Sequence, residues 1–178
     1  MSTLTQRYTT VAIILHWVIA VLILGLLATG WYSEVLPKGD ARTSIVMLHK
    51  SVGLLVFGFI MVRIFWRLSH QPPALPESLP TWQRTSAAIL HFALYVLMFI
   101  QPVSGYLSSL LGAKPVTFFG IVIPQWVEKN DAIRPFFHDT HEVAGIIFTA
   151  LVVIHIAAAI KHQLAKDGIA QRMLFESR

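Results

Sequence analysis

No cysteine occurs among the 178 residues of the chain. Its absence removes disulfides, thiolate metal centres, iron–sulfur clusters and thioether attachment of a haem through Cys-x-x-Cys-His. Charge is scarce too: charged residues make up 13% of the chain, and only nine are acidic. Only Asp139 and Glu142 among them fall inside a long apolar stretch, both near its start, and Glu142 is expected to face away from the neighbouring His141, so a di-iron or calcium site lacks ligands. What fills the chain instead is apolar, with 55% hydrophobic residues and a mean hydropathy of +0.64. An ordinary soluble domain carries about 25% charged residues, so the composition predicts an integral membrane protein.

Four apolar stretches stand out, Thr9 to Tyr32, Ser44 to Trp66, Ser86 to Leu111 and Phe136 to Ile160. Each is long enough to cross a hydrocarbon core of about 30 Å. They predict transmembrane helices over 9–32, 44–66, 86–111 and 136–162 in a single domain, 1–178, joined by short Pro-, Gly- and charge-rich connections. The first stretch follows Arg7 as an export signal would, but its length, His16 and Trp17, and the lack of a small-residue cleavage site favour a retained helix. With the N-terminus cytoplasmic, the inner side holds eight basic and three acidic residues and the outer side six of each. Positive-inside counting then places both termini on the cytoplasmic side. The sequence pI of 9.8 is accounted for by that inner surface, without nucleic acid.

Within these stretches the histidines are spaced like a ruler. His141 and His155 are fourteen residues apart on the last one. Fourteen residues advance a helix by about 21 Å and turn it only about 40° short of a full repeat, so both side chains point into one bundle interior at two depths. His16, nine residues after Arg7, and His155, six before Lys161, share the inner half. His49, seven after Arg42, and His141, seven after Arg134, share the outer half. The predicted pairs are therefore His16 with His155 and His49 with His141, the last helix serving both.

Paired imidazoles above and below a porphyrin complete an octahedral iron site, whereas zinc usually takes four ligands. The histidines come in twos, which predicts two b-type haems, held without thioether bonds. A bis-histidine iron has no open position, so outer-sphere electron transfer is the expected chemistry. Arg63 lies fourteen residues beyond His49 and faces the inner site, where a buried cation calls for an anion such as a haem propionate. Gly30 and Gly105, fourteen beyond His16 and His91, leave space at the outer site; Gly53 and Gly145, four beyond His49 and His141, let a macrocycle approach. Close helix packing is the competing role for all four glycines.

His91, seven residues after Arg84, lies at inner depth and competes as a ligand, or serves a propionate, a quinone or a neighbouring helix. His162, beside Lys161 and two turns beyond His155, is placed to exchange protons with a quinone or to sit as an interfacial residue. His138 is near an outer propionate, and His70 is a loop residue. Trp17, Trp31, Trp66, Trp82 and Trp126 fall where membrane interfaces are expected.

The LHW around His16, LHKSVG around His49, VRIFWRLSHQPP closing the second span, PVSGYL in the third, and HEVAG with IHIAAAIKH in the fourth resemble the bacterial cytochrome b561 family over nearly the whole chain. The resemblance implies an all-α, four-helix membrane bundle with two b haems, His16, His49, His141 and His155 as iron ligands, and His162 near a quinone. Similar members include superoxide oxidases, which pass an electron from superoxide at the outer face to ubiquinone. Lys38, Arg42, Lys50 and Lys114 are the outer cations that would attract such an anion. Two other functions stay open: a haem subunit relaying electrons for a periplasmic or dehydrogenase partner docked on 112–135, and a cofactor-free transporter or scaffold.

Overall fold

The computed structural model describes residues 7–76 and 79–175. Glu77, Glu176 and Arg178, counted above as inner charges, lie outside the described residues. Four long helices dominate: α1 Thr10–Val35, α2 Asp40–Ser69, α3 Thr81–Leu111 and α4 Arg134–Ala165. Each is long and apolar enough to cross a membrane, so the chain is a four-span membrane bundle. All four extend past the apolar stretches because polar residues and proline set their ends. Thr9 caps α1 by accepting a hydrogen bond from the Ala12 N–H at 3.3 Å, and Pro37 follows its last turn. α4 takes Pro135 in its first turn and closes at Lys166 in the left-handed conformation.

Because the spans are even in number, both termini emerge at one end of the bundle, called here the terminal end; the other is the distal end. α1 packs along α2 and α3 along α4, while α2 and α3 touch less and α1 and α4 are not closely packed. The bundle is thus two helix pairs flanking a cleft. The cleft closes at mid-height, where Ile19, Ile23, Val56, Ile60, Leu94, Leu97, Met98, Ala144 and Phe148 form the buried core. The outward faces carry large exposed apolar side chains such as Val21, Phe65 and Phe92, as lipid contact requires.

Between α3 and α4 a short hairpin, β1 Thr117–Phe118 and β2 Ile121–Val122, turns through Phe119 and Gly120, both at positive φ. Ser51 of α2 pins it, donating to the Thr117 carbonyl at 2.9 Å and accepting from the Phe119 N–H at 3.2 Å.

At the terminal end a 3-10 turn, η1 Ala170–Met173, folds the C-terminal segment back on the bundle. Arg172, only 2% exposed, donates to the Pro73 and Ala74 carbonyls at 2.6 and 3.0 Å and lies over the Tyr8 ring. The indole of Trp17 donates to the Met173 carbonyl at 2.8 Å. Arg172→Ala strands two carbonyls and opens a buried volume. It is expected to cost about 2–4 kcal/mol, or roughly 5–15 °C of melting temperature. A thermal melt of purified protein in detergent within 1–2 °C of the unsubstituted protein, roughly the error of such a melt, would show that the strap contributes nothing.

Candidate functional site

The cleft on either side of the mid-height core holds the histidines in two groups. In the distal half, the rings of His49 and His141 are 6.2 Å apart, centre to centre, with planes at 84°. In the terminal half, His16 and His155 are 6.1 Å apart at 75°. The two separations agree to 0.1 Å although they join different helices, α2 with α4 and α1 with α4. Two iron–nitrogen bonds of about 2 Å, with each ring centre about 1.1 Å behind its ligating nitrogen, require roughly 6.2 Å between ring centres. Both pairs therefore fit a single iron between two imidazoles. The planes are free to cross, since both need only contain the axis.

His91 joins the terminal group from α3, its ring 5.4 Å from that of His155. That separation is short for an intervening iron. α3 is also the close-packed neighbour of α4, whereas His16 faces His155 from the other helix pair.

The hydrogen bonds behind the rings differ between the groups. His141 donates from Nδ1 to the Gln101 carbonyl at 2.9 Å, and the Gln101 amide returns a bond to the His141 carbonyl at 3.1 Å. His49 Nδ1 lies 3.2 Å from the Thr29 hydroxyl, whose own proton goes to the Gly25 carbonyl at 2.8 Å. Thr29 must therefore accept from His49. Both distal imidazoles hold their proton on Nδ1 and present an Nε2 lone pair, the state a metal needs.

The terminal group is set otherwise. Arg63 donates to the Tyr95 hydroxyl at 3.0 Å and the Ala12 carbonyl at 3.1 Å, tying α2 to α3 and α1. Its Nη2 also approaches His16 Nδ1 at 3.4 Å. Since arginine only donates, that contact favours the opposite tautomer of His16.

The glycines divide as well. A Cβ on Gly105 would lie 2.8 Å from Cε1 and 2.9 Å from Nδ1 of His141, and one on Gly30 would lie 3.4 Å from Cε1 of His49. Gly105 thus makes room for the imidazole itself, whereas a methyl at Gly30 would meet the His49 ring in ordinary contact. A Cβ on Gly145 would meet the Gln101 amide nitrogen at 3.0 Å, while one on Gly53 meets open space. All four glycines line a distal cavity of about 400 Å³ together with His49, His141, Gln101 and Arg134. Glu142, expected from the sequence to face elsewhere, lines it too. Its carboxylate gathers with His138 and Asp139, all three exposed, with ligand atoms within 4.8 Å of one another.

His162 sits apart at the terminal end. Its Nδ1 is 2.5 Å from Asp167, whose second oxygen accepts from the Ile169 N–H at 3.0 Å. Burial works against the Asp167 charge, but those two hydrogen bonds and the imidazole hold its carboxyl below the usual range. Lys161 is exposed beside it, and His70 stacks on Trp66 with ring centres 3.9 Å apart. Trp66 caps inward onto Thr9 at 2.9 Å and Trp126 onto the Tyr106 hydroxyl at 3.0 Å, while Trp82 is exposed. Gln101, Thr29, Arg134 and Asp167 escaped the sequence reading. For Gln101 and Thr29 the signal was present: each is a polar residue inside an apolar span, next to or near a singled-out glycine.

Histidine pairs of coordinating separation, stacked at two levels of a four-helix membrane bundle, define the class of b-type membrane cytochromes. The chain belongs to the prokaryotic cytochrome b561 family, whose model matches residues 7–176. It is 31% identical to cytochrome b561 homolog 2 of Escherichia coli K12 over 97% of this chain and 93% of that one. Cytochrome b561 homolog 1 of the same strain is 26% identical, over 95% and 97%. A protein of Yersinia pestis named as a probable superoxide oxidase, CybB, is 24% identical, over 97% and 98%. Membership makes this a multi-pass membrane protein of haem b electron transfer.

Proposed function

We propose that the protein carries electrons across the bacterial inner membrane through two haems, from superoxide at the distal, periplasmic face to ubiquinone at the terminal, cytoplasmic end. The observation that carries this reading is the pair of equally spaced histidine couples at opposite depths on one helix, with an apolar core between them. His49 and His141 would hold the distal haem and His16 and His155 the terminal one, each supplying a one-electron centre without an open coordination position. Arg63 would leave His16 for a propionate of the terminal haem, which frees His16 Nδ1 to take the proton that ligation at Nε2 requires. Gly53 and Gly145 border the space for the distal macrocycle, and His91 packs beside the terminal one.

Superoxide as donor is supported by a pocket of about 270 Å³ on the distal surface, lined by Lys38, Arg42, Lys50 and Lys114. Lys50 follows His49 directly, so an anion drawn there arrives beside the distal site. Superoxide gives up one electron and leaves as O₂. Two electrons and two protons convert ubiquinone to ubiquinol. His162, with Asp167 on Nδ1 and Lys161 beside it, is the group at the terminal end that can hand on those protons.

Anaerobic stopped-flow mixing of the oxidised di-haem protein with superoxide should reduce the haem bands, and a soluble ubiquinone should reoxidise them. Absence of reduction by superoxide would favour the second reading, a haem subunit serving a periplasmic redox partner. One observation speaks for that alternative: Phe119, Ile121, Val122 and Trp126 stand exposed on and beside the hairpin.

A further inference from the structure

Arg134 opens α4, and its side chain lines the distal cavity without an ion pair to any of the described residues. Its Nε is buried and has no hydrogen-bond partner among the described residues. The side chain lies in a slot made by the missing Cβ of Gly112, where a methyl group would stand 2.7 Å from Nε and 3.0 Å from Cδ. Two neighbouring cavity groups are engaged elsewhere, Glu34 with Arg42 at 3.2 Å and Lys50 with the Pro115 carbonyl at 3.0 Å. His138 pairs with Asp139 at 3.5 Å, and Glu142 belongs to the same exposed cluster. With Lys50 and Arg134, Lys114 makes three cations in the lining. A guanidinium nitrogen buried without a partner is costly unless an acceptor reaches it. The cavity it lines is the one that contains His49 and His141.

We propose that Arg134, seated in the Gly112 slot, binds a carboxylate of the ligand between His49 and His141, namely a propionate of the distal haem. The inference rests on the reading that the distal pair carries haem. It gives the distal site the arginine that Arg63 provides at the terminal one. A cation held there favours the reduced state, which carries one more negative charge, and so raises the distal potential.

The test is a potentiometric titration of purified protein carrying Arg134→Gln, Arg134→Lys or Gly112→Ala, read in the haem absorption bands with haem content measured in parallel. Arg134→Gln and Gly112→Ala should lower the potential of the distal haem alone, and Arg134→Lys should restore most of it. Loss of the distal haem from Arg134→Gln but not from Arg134→Lys supports the same contact. An unmoved distal potential at full haem content, or distal haem lost equally from both variants, overturns it. If His141→Ala leaves the haem spectrum of the parent protein unchanged, the failure belongs to the underlying haem assignment instead.

Discussion

Replacing His141 with alanine is expected to remove the distal haem and leave the terminal haem in place, lowering haem content per chain by about half. Replacing His155 should do the reverse. His141 is half of a pair whose ring separation of 6.2 Å matches one iron between two imidazoles. Its Nδ1 proton is committed to the Gln101 carbonyl at 2.9 Å, so it is preset for ligation before any metal arrives. Without it His49 stands alone across an open cavity, and one imidazole holds a haem far less firmly than two. The two sites should respond independently, because about 21 Å of helix and the core around Ile60 and Phe148 lie between them. A pyridine haemochrome assay and low-temperature spectra of both variants, with His91→Ala as a third, decide the matter. If His91→Ala costs a haem and His16→Ala does not, the terminal pair has been misassigned.

Gly105→Ala should be nearly as damaging, although it adds a single methyl group. That methyl would stand 2.8 Å from Cε1 and 2.9 Å from Nδ1 of His141. The imidazole is a rigid ring with its Nδ1 bonded behind it, and it cannot yield without breaking the Gln101 hydrogen bond. Overpacking of this kind costs about 1–3 kcal/mol, which becomes roughly a tenfold to hundredfold loss of distal haem affinity. Gly30→Ala is the matched control, because its methyl meets His49 Cε1 at 3.4 Å, an ordinary contact. Gly25→Ala has nothing within 4 Å and should be silent. Haem titration into the three apo-proteins should rank Gly105→Ala well below the other two. Equal affinity for all three would show that the ring has freedom the structure does not give it.

The features legible in the sequence are those that depend on one helix at a time. Apolar length announced the four spans, and the fourteen-residue ruler placed His16, His49, Arg63, His141 and His155 at two depths. Helix ends were read short, because apolarity marks the hydrocarbon and the ends lie beyond it: Asp40 and Thr81 begin helices four and five residues before the apolar stretches start. The same ruler singled out Gly30 and Gly105 but assigned them to space beside a haem. In the structure both line the distal cavity and also lie against imidazole rings, since which side chain stands beside a gap depends on the facing helix.

The sequence by itself therefore determined a cysteine-free, four-span membrane bundle with histidines at two levels, because spacing along a helix translates directly into depth and facing. Tertiary structure decided what happens between helices. It set the two ring separations near 6 Å, committed the protons of His49 and His141 to Thr29 and Gln101, and put Arg134 in the Gly112 slot at the distal cavity. It also folded Asp167 back onto His162 through the left-handed turn at Lys166. None of these has a periodicity to read, since each joins residues on different elements or across a chain reversal, and only the packed bundle brings them within hydrogen-bond reach.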